Sequence, residues 1–163
     1  MARDAKVFLI IGGRGSGKTF LLEKTLPKHE TIVVELFKTA RWSGYKKIFF
    51  SDIVNKKVNY KDLANSYVVF EDATSYISSN MTNEIKRLIV NSKQLGSDVF
   101  LVFHSINIVP PFLWYLWNYL ILFKCAKPKY SAAIADNFNE IMQKWNVCNK
   151  AKPYHFEVIE SQI

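Results

Sequence analysis

Gly12-Gly13-Arg14-Gly15-Ser16-Gly17-Lys18-Thr19 constrains this chain more than any other stretch. It matches G-x-x-x-x-G-K-[ST], the phosphate-binding P-loop, which requires a strand leading in and a helix leading out. Both are legible. Residues 6–11 are a short apolar run rich in β-branched side chains, as a buried parallel strand is. Residues 18–26 read as a helix with Phe20, Leu21, Leu22 and Leu26 on its apolar side, stopped by Pro27. The glycines let successive N–H groups turn onto a phosphate, and the helix N-terminus adds partial positive charge. The expected triphosphate contacts are therefore Gly12, Gly13, Arg14, Gly15, Ser16 and Gly17, together with Lys18, Thr19 and Phe20. Lys18 would reach the β- and γ-phosphates of ATP, and the Thr19 hydroxyl would hold Mg²⁺.

Residues 67–72 form the second informative stretch. Four apolar residues end in Glu71 and Asp72, which resembles a Walker B strand whose carboxylates emerge beside the metal. By position Glu71 takes the metal role and Asp72 polarises the attacking water; the reverse assignment, in which Asp72 holds the metal, stays open. A further apolar run, 99–103, ends in His104, placed to contact the γ-phosphate or the water.

The remaining chain reads as strand and helix in alternation. Residues 31–37 and 48–50 are expected strands, 81–95 a helix with Met81, Ile85, Leu88 and Ile89 at helical spacing, and Gly96 its stop. A helix over 131–145 and a strand over 155–159 complete the series. The polar loop 73–80 and the lysine-rich connection 52–64 have no definite form. The basic loop 38–47 contains Trp42 and Tyr45, aromatic faces between cations that suit stacking on a base or on single-stranded nucleic acid; alternatively Trp42 plugs the edge of the core. The implied fold is α/β: a P-loop NTPase of the ASCE/RecA-like kind, a three-layer sandwich with a mainly parallel central sheet, forming one domain over residues 1–163.

Residues 106–125 are apolar over about the length of a membrane span. Pro110 and Pro111 would break a helix there, so a turn, a short helix over 112–117 and a strand over 119–123 explain the segment better. Membrane contact would fall to the aromatic cluster Phe112, Trp114, Tyr115 and Trp117. The N-terminal apolar run opens into the P-loop rather than a cleavage site, which argues against a signal peptide and for a host cytoplasm, with or without association with a virion. Cys125 and Cys148 have no metal-ligand spacing, and the three histidines are scattered. Lysine and arginine number 22 against 14 acids, a net +8 that favours a polyanionic partner such as DNA over a solvated basic surface alone.

The P-loop, the acids after Val68-Val69-Phe70, the helix ending Asn91-Ser92-Lys93-Gln94-Leu95-Gly96, the strand 99–103 and the Pro110-Pro111 turn occur in an order that resembles the FtsK/HerA superfamily of DNA-pumping ATPases. The small size is similar to the genome-packaging ATPases of internal-membrane viruses and to the Zot-like proteins of filamentous phages. The resemblance covers most of residues 6–123 and implies a ring, a hexamer by preference, that threads DNA without reading its sequence and meets capsid or membrane-vertex proteins. Two departures stand out. His104 occupies the place of a usual glutamine, and Lys93 lies where an arginine finger is expected. Arg87 is then the candidate finger acting in trans, with Lys93 as its substitute. Two other readings fit the same P-loop: a small-molecule or nucleotide kinase, and an assembly protein that binds nucleotide to set its oligomeric state.

Overall fold

The computed structural model of the chain describes residues 4–78 and 83–162. Seven strands form one sheet: β1 Val7–Ile11, β2 Thr31–Glu35, β3 Lys46–Phe49, β4 Tyr67–Phe70, β5 Asp98–Phe103, β6 Tyr119–Phe123 and β7 Phe156–Glu160. Their order is β3-β2-β4-β5-β1-β6-β7, parallel throughout except that β7 runs antiparallel to β6. Four α-helices, α1 Lys18–Thr25, α2 Phe50–Val54, α3 Asn83–Leu95 and α4 Phe138–Lys150, alternate with short 3₁₀ turns. This is the doubly covered, mainly parallel sheet that the apolar runs predict.

Alternation along the strands divides the core in two. Val7, Leu9 and Ile11 of β1 face one side with Leu101 and Phe103 of β5, where Ile85, Leu88 and Ile89 of α3 and Ile141 of α4 cover them. Ile10, Val33, Val69 and Val102 face the other side, against Leu22 of α1 and the buried Trp42 and Tyr45. Connections that move from β1 towards β3 run over the α1 face; those that move back run over the α3 face. Both directions are then right-handed crossovers, as parallel pairing demands. Chain direction reverses beside β1, so its C-terminal end lies at the switch point where α/β sheets open a ligand crevice. Gly12 N–H donates to Phe103 O at 3.1 Å and Gly13 N–H to Lys124 O at 2.9 Å, tying the start of the P-loop to the ends of both neighbouring strands.

Several local expectations are corrected. β2 stops at Glu35, and Phe37 is exposed rather than part of a strand. As the basic loop 38–47 implies, no helix joins β2 to β3; a ten-residue loop does, but β3 already starts at Lys46, and Phe50 opens α2 instead of extending it. Phe20 is 66% exposed, so the apolar side of α1 is carried by Leu22, with Leu21 and Leu26 packed against the same cluster. The helix expected over 131–145 is a 3₁₀ turn, Ala132–Asn137, followed by α4, which continues to Lys150. The segment 106–125 forms two 3₁₀ turns and β6. Trp114 and Trp117 lie in the core, so half of the aromatic cluster considered for membrane contact is inward. Among the described residues no helix is long and apolar enough to cross a membrane. Met81, expected in α3, lies outside the described residues, as does the side chain of Lys93.

Candidate active site

The P-loop closes on itself as its glycines require. Gly17, at φ 103°, forms the N-cap of α1 in a left-handed conformation that a side chain would strain. A Cβ on Gly12 would lie 2.4 Å from Ser16 Oγ and 2.6 Å from Phe123 Cβ, so no larger residue fits there. Lys18 is buried, and its ammonium donates to Gly12 O at 2.6 Å and Gly13 O at 2.9 Å. It is thus folded over the loop whose phosphate it is expected to meet. Burial pushes its pKa below the usual lysine value, with the charges of Glu71 and Asp72 acting in the opposite sense.

β4 lies two strands from β1, with β5 between them, and delivers its acids to the same crevice. Glu71 N–H donates to Val34 O, extending the ladder by one residue, and the Glu71 carboxylate turns towards α1. Thr19 Oγ1 donates to Glu71 Oε1 at 2.9 Å. This contact joins the end of the P-loop to the end of β4 across 52 residues of sequence. Asp72 takes a left-handed backbone, φ 49°, which a short polar residue tolerates and which sends consecutive carboxylates in different directions. Asp72 Oδ1 stands 2.8 Å from His104 Nε2, and Asp72 Oδ2 accepts from Ser75 Oγ at 2.9 Å. His104 is itself pinned through its main chain, its backbone N–H donating to Thr74 Oγ1 at 3.0 Å. Glu71 therefore sits beneath the first turn of α1, while Asp72 and His104 form a half-exposed pair at the end of β5. Thr19 and Glu71 offer a hard oxygen-only donor set, with Asp72 adjacent, and that chemistry fits Mg²⁺.

Burial pushes the Glu71 carboxyl above the usual carboxylate value; hydrogen bonds from Thr19 and Trp42, and the charges of Arg41 and Lys18, act against it. Trp42 overturns the stacking expectation. It is fully buried, and its indole N–H donates to Glu71 Oε2 at 3.1 Å while its backbone N–H donates to Glu23 Oε1 at 3.1 Å. Tyr45 is buried edge-on against it, ring centroids 5.0 Å apart. Neither ring offers a free face to a base. The loop instead braces an acid, a role nothing in its local sequence announces.

Arg14, Gly15, Ser16 and Gly17 line the crevice with Lys18, Thr19 and Phe20; its far wall is Glu71, Asp72 and His104, and its volume is about 570 Å³. Exposed Phe20 thus stays a wall of the site while leaving the core. Three further residues line it that sequence reasoning missed, Glu23, Arg41 and Tyr154. A second, smaller cleft of about 330 Å³ adjoins the outer side of the P-loop, where Gly13 to Ser16 face Lys124, Lys152 and Tyr154. Tyr154 lines both clefts, with its ring against the loop; a Cβ on Gly17 would lie 2.8 Å from its Cδ1. Arg87 is exposed on α3 and absent from both clefts. Burial pushes the Cys125 thiol up to about 11, so that cysteine offers no thiolate near neutral pH.

Neither a protein-family model nor a curated protein sequence matches the chain. Solved structures do. The genome packaging NTPase B204 of Sulfolobus turreted icosahedral virus 2, in complex with ATP-gammaS, superposes with a TM-score of 0.75 at 15% identity, over 98% of this chain and 93% of that one. The same protein with AMP gives 0.76 at 16% identity, over 97% and 93%. The N-terminal domain of zonular occludens toxin from Neisseria meningitidis gives 0.52 at 14% identity, over 83% and 90%. The chain shares the P-loop NTPase fold of these viral packaging and Zot proteins.

Proposed function

We propose that this chain is a Mg²⁺-dependent ATPase whose hydrolysis moves DNA, in the manner of a viral genome-packaging motor. The observation that carries the reading is the 2.9 Å contact between Thr19 and Glu71, because a triphosphate cradled by the P-loop then ends beside a metal-binding acid. Backbone N–H groups of Gly12 to Gly17 bind the phosphates, Arg14 and Ser16 border them, and Lys18 leaves its two carbonyl partners for the β- and γ-oxygens. Thr19 and Glu71 would hold a Mg²⁺ ion, with Asp72 nearby, and the chemistry such an ion would supply there is neutralisation of phosphate charge. Asp72 accepts a proton from the attacking water, and His104 orients Asp72. Phe20 and Tyr154 border the nucleotide, with Tyr154 a stacking face for the base. The likeness to B204, crystallised with ATP-gammaS, supports the nucleotide, and the likeness to B204 of Sulfolobus turreted icosahedral virus, described as a DNA-packaging ATPase, supports the DNA partner. The net charge of +8 supports a sequence-independent grip on phosphates. Assembly into a ring, a hexamer by preference, would bring Arg87 or Lys93 of one copy towards the site of another, and capsid or membrane-vertex proteins would anchor that ring in a cell or virion.

Phosphate release from ATP by the purified protein tests this, with and without Mg²⁺ and with and without DNA. Expected are Mg²⁺-dependent turnover, its loss in Lys18→Ala, and stimulation by DNA that fades as salt rises. Phosphate transfer to a nucleoside or nucleotide would instead establish a kinase. Assembly activity that survives combined Glu71→Gln and Asp72→Asn would establish a nucleotide-set assembly protein, the reading favoured by the Zot likeness. A chain that fails to bind ATP refutes all three.

A further inference from the structure

The loop between β2 and β3 carries an arginine to the phosphate crevice and is fastened at several points. Lys47 at the start of β3 donates to Thr39 O at 3.0 Å and to Arg41 O, and its ammonium lies 3.4 Å from Glu35 Oε1. Thr39 Oγ1 donates to that same carboxylate oxygen at 2.6 Å. Glu35 is 2% exposed, so the clamp is anchored on a buried carboxylate at the sheet end, while Lys47, Thr39 and Arg41 reach it from the surface side. One residue on from Arg41, Trp42 holds φ 59°, an unfavourable backbone for a bulky side chain. A strained residue persists only where its surroundings over-determine it. Here the surroundings are Glu23, Glu71 and Tyr45, each in contact with Trp42. The outcome is that Arg41 lines the crevice together with Lys18, Glu71, Asp72 and His104. Its charge reaches both Lys18 and Glu71, where it favours loss of a proton at each.

We propose that Arg41 is a catalytic residue acting in cis, whose guanidinium meets the γ-phosphoryl group of the nucleotide bound by its own P-loop, in the crevice it lines together with Lys18. This deepens the ATPase reading and rests on it. It also gives Arg41 the role that sequence reasoning assigned to Arg87 of a neighbouring copy, and Arg87 lines neither cleft. A planar fork can contact two phosphoryl oxygens at once, which a lysine ammonium cannot. As the γ-phosphoryl detaches, negative charge spreads over its equatorial oxygens, and a cation fixed there stabilises that state more than the bound substrate.

The test co-assembles two inactive forms of the full chain, Arg41→Ala with an intact P-loop and Lys18→Ala with an intact Arg41. An arginine acting in cis leaves the mixture as inactive as its parts, whereas recovered hydrolysis would show that Arg41 serves a neighbour and would overturn the proposal. Alone, Arg41→Ala is expected to lower turnover by roughly 10³-fold, the lower end of what such arginines supply. It should lose trapping of ADP with aluminium fluoride, keep ADP affinity within about threefold of the unmodified chain, and be rescued only in part by Arg41→Lys. Turnover within about threefold of the unmodified chain refutes the role of Arg41 while leaving the ATPase reading intact. An unmodified chain that hydrolyses no ATP in this assay overturns both.

Discussion

Trp42→Phe removes one hydrogen atom's worth of chemistry from the centre of the site. The phenyl ring keeps most of the buried aromatic volume and the contact with Tyr45, but Glu71 Oε2 loses the donor 3.1 Å away. A hydrogen bond to an ionised acceptor contributes about 1.5–3 kcal/mol, and one to a neutral acceptor about 0.5–1.5 kcal/mol. The magnitude of the loss therefore depends on the charge of Glu71. Burial raises the folded-state pKa of Glu71 above the carboxylate reference of 4.5, and the Trp42 bond opposes that rise. Below the reference value the acid is protonated in both folded and unfolded states, and only the weaker bond is lost. As pH rises through the folded-state pKa the carboxylate ionises in place, and the substitution then removes the stronger bond. The destabilisation should grow with pH, to about 2 kcal/mol once the carboxylate is ionised in the folded state, a fall in Tm of roughly 4–8 °C for a domain of this size. Thermal and urea unfolding of the metal-free, nucleotide-free protein below the carboxylate reference value and above the folded-state pKa of Glu71 measures it. In a Glu71→Gln background the pH dependence should vanish. If Trp42→Phe has the same effect at both pH values and in both backgrounds, the indole does not stabilise the Glu71 carboxylate and the braced-acid account is wrong.

Three other substitutions probe separate parts of the crevice. Asp72→Asn replaces the carboxylate beside His104; under the proposed role of Asp72 as proton acceptor it should lower turnover about 10²- to 10⁴-fold with ATP affinity retained, as equilibrium binding and single-turnover hydrolysis would reveal. Tyr154→Ala should weaken ATP binding by about 1–3 kcal/mol, the worth of one stacked base, yet leave inorganic tripolyphosphate unaffected; equal losses for both ligands would place the ring against phosphate instead. Glu71→Gln should raise the Tm of the metal-free protein, because burial disfavours the ionised form, and the gain should shrink as pH falls through the folded-state pKa of Glu71.

The phosphate half of the site was legible because its chemistry is local. Four glycines, a lysine and a threonine within eight residues can be recognised without knowing what surrounds them, and the apolar runs before Gly12 and Glu71 place both segments on parallel strands. His104 was legible for the same reason, as the polar residue ending a strand that parallel pairing brings alongside. The loop 36–45 was legible only in part. Its aromatics and cations have the composition of a surface that binds nucleic acid, and the alternative, Trp42 plugging the edge of the core, is the one the structure bears out; the contact between Trp42 and Glu71, 29 residues apart in sequence, is what no local pattern announces. Tyr154 escaped notice because its position against Gly17 depends on β7 turning back antiparallel beside β6, a pairing that no local pattern specifies.

The missing helix between β2 and β3 explains why that loop matters. A parallel pair is commonly bridged by a helix, which shields the sheet and keeps the connection clear of the strand ends. Ten residues leave little room for one, and the right-handed route from β2 to β3 lies over the same face as α1. The connection must therefore cross beside the P-loop helix, and its buried aromatics, Trp42 and Tyr45, must fill the place a helix would have filled. Glu35 and Glu71 end adjacent parallel strands on this face, Glu35 beside Lys47 and Thr39, Glu71 beside Trp42 and Thr19. One carboxylate fastens the loop and the other is fastened by it. A short crossover thus places a cation on the wall of the phosphate crevice, and lengthening it by a few glycines would separate folding from catalysis: the sheet should persist while Arg41 and the Trp42 brace are lost together.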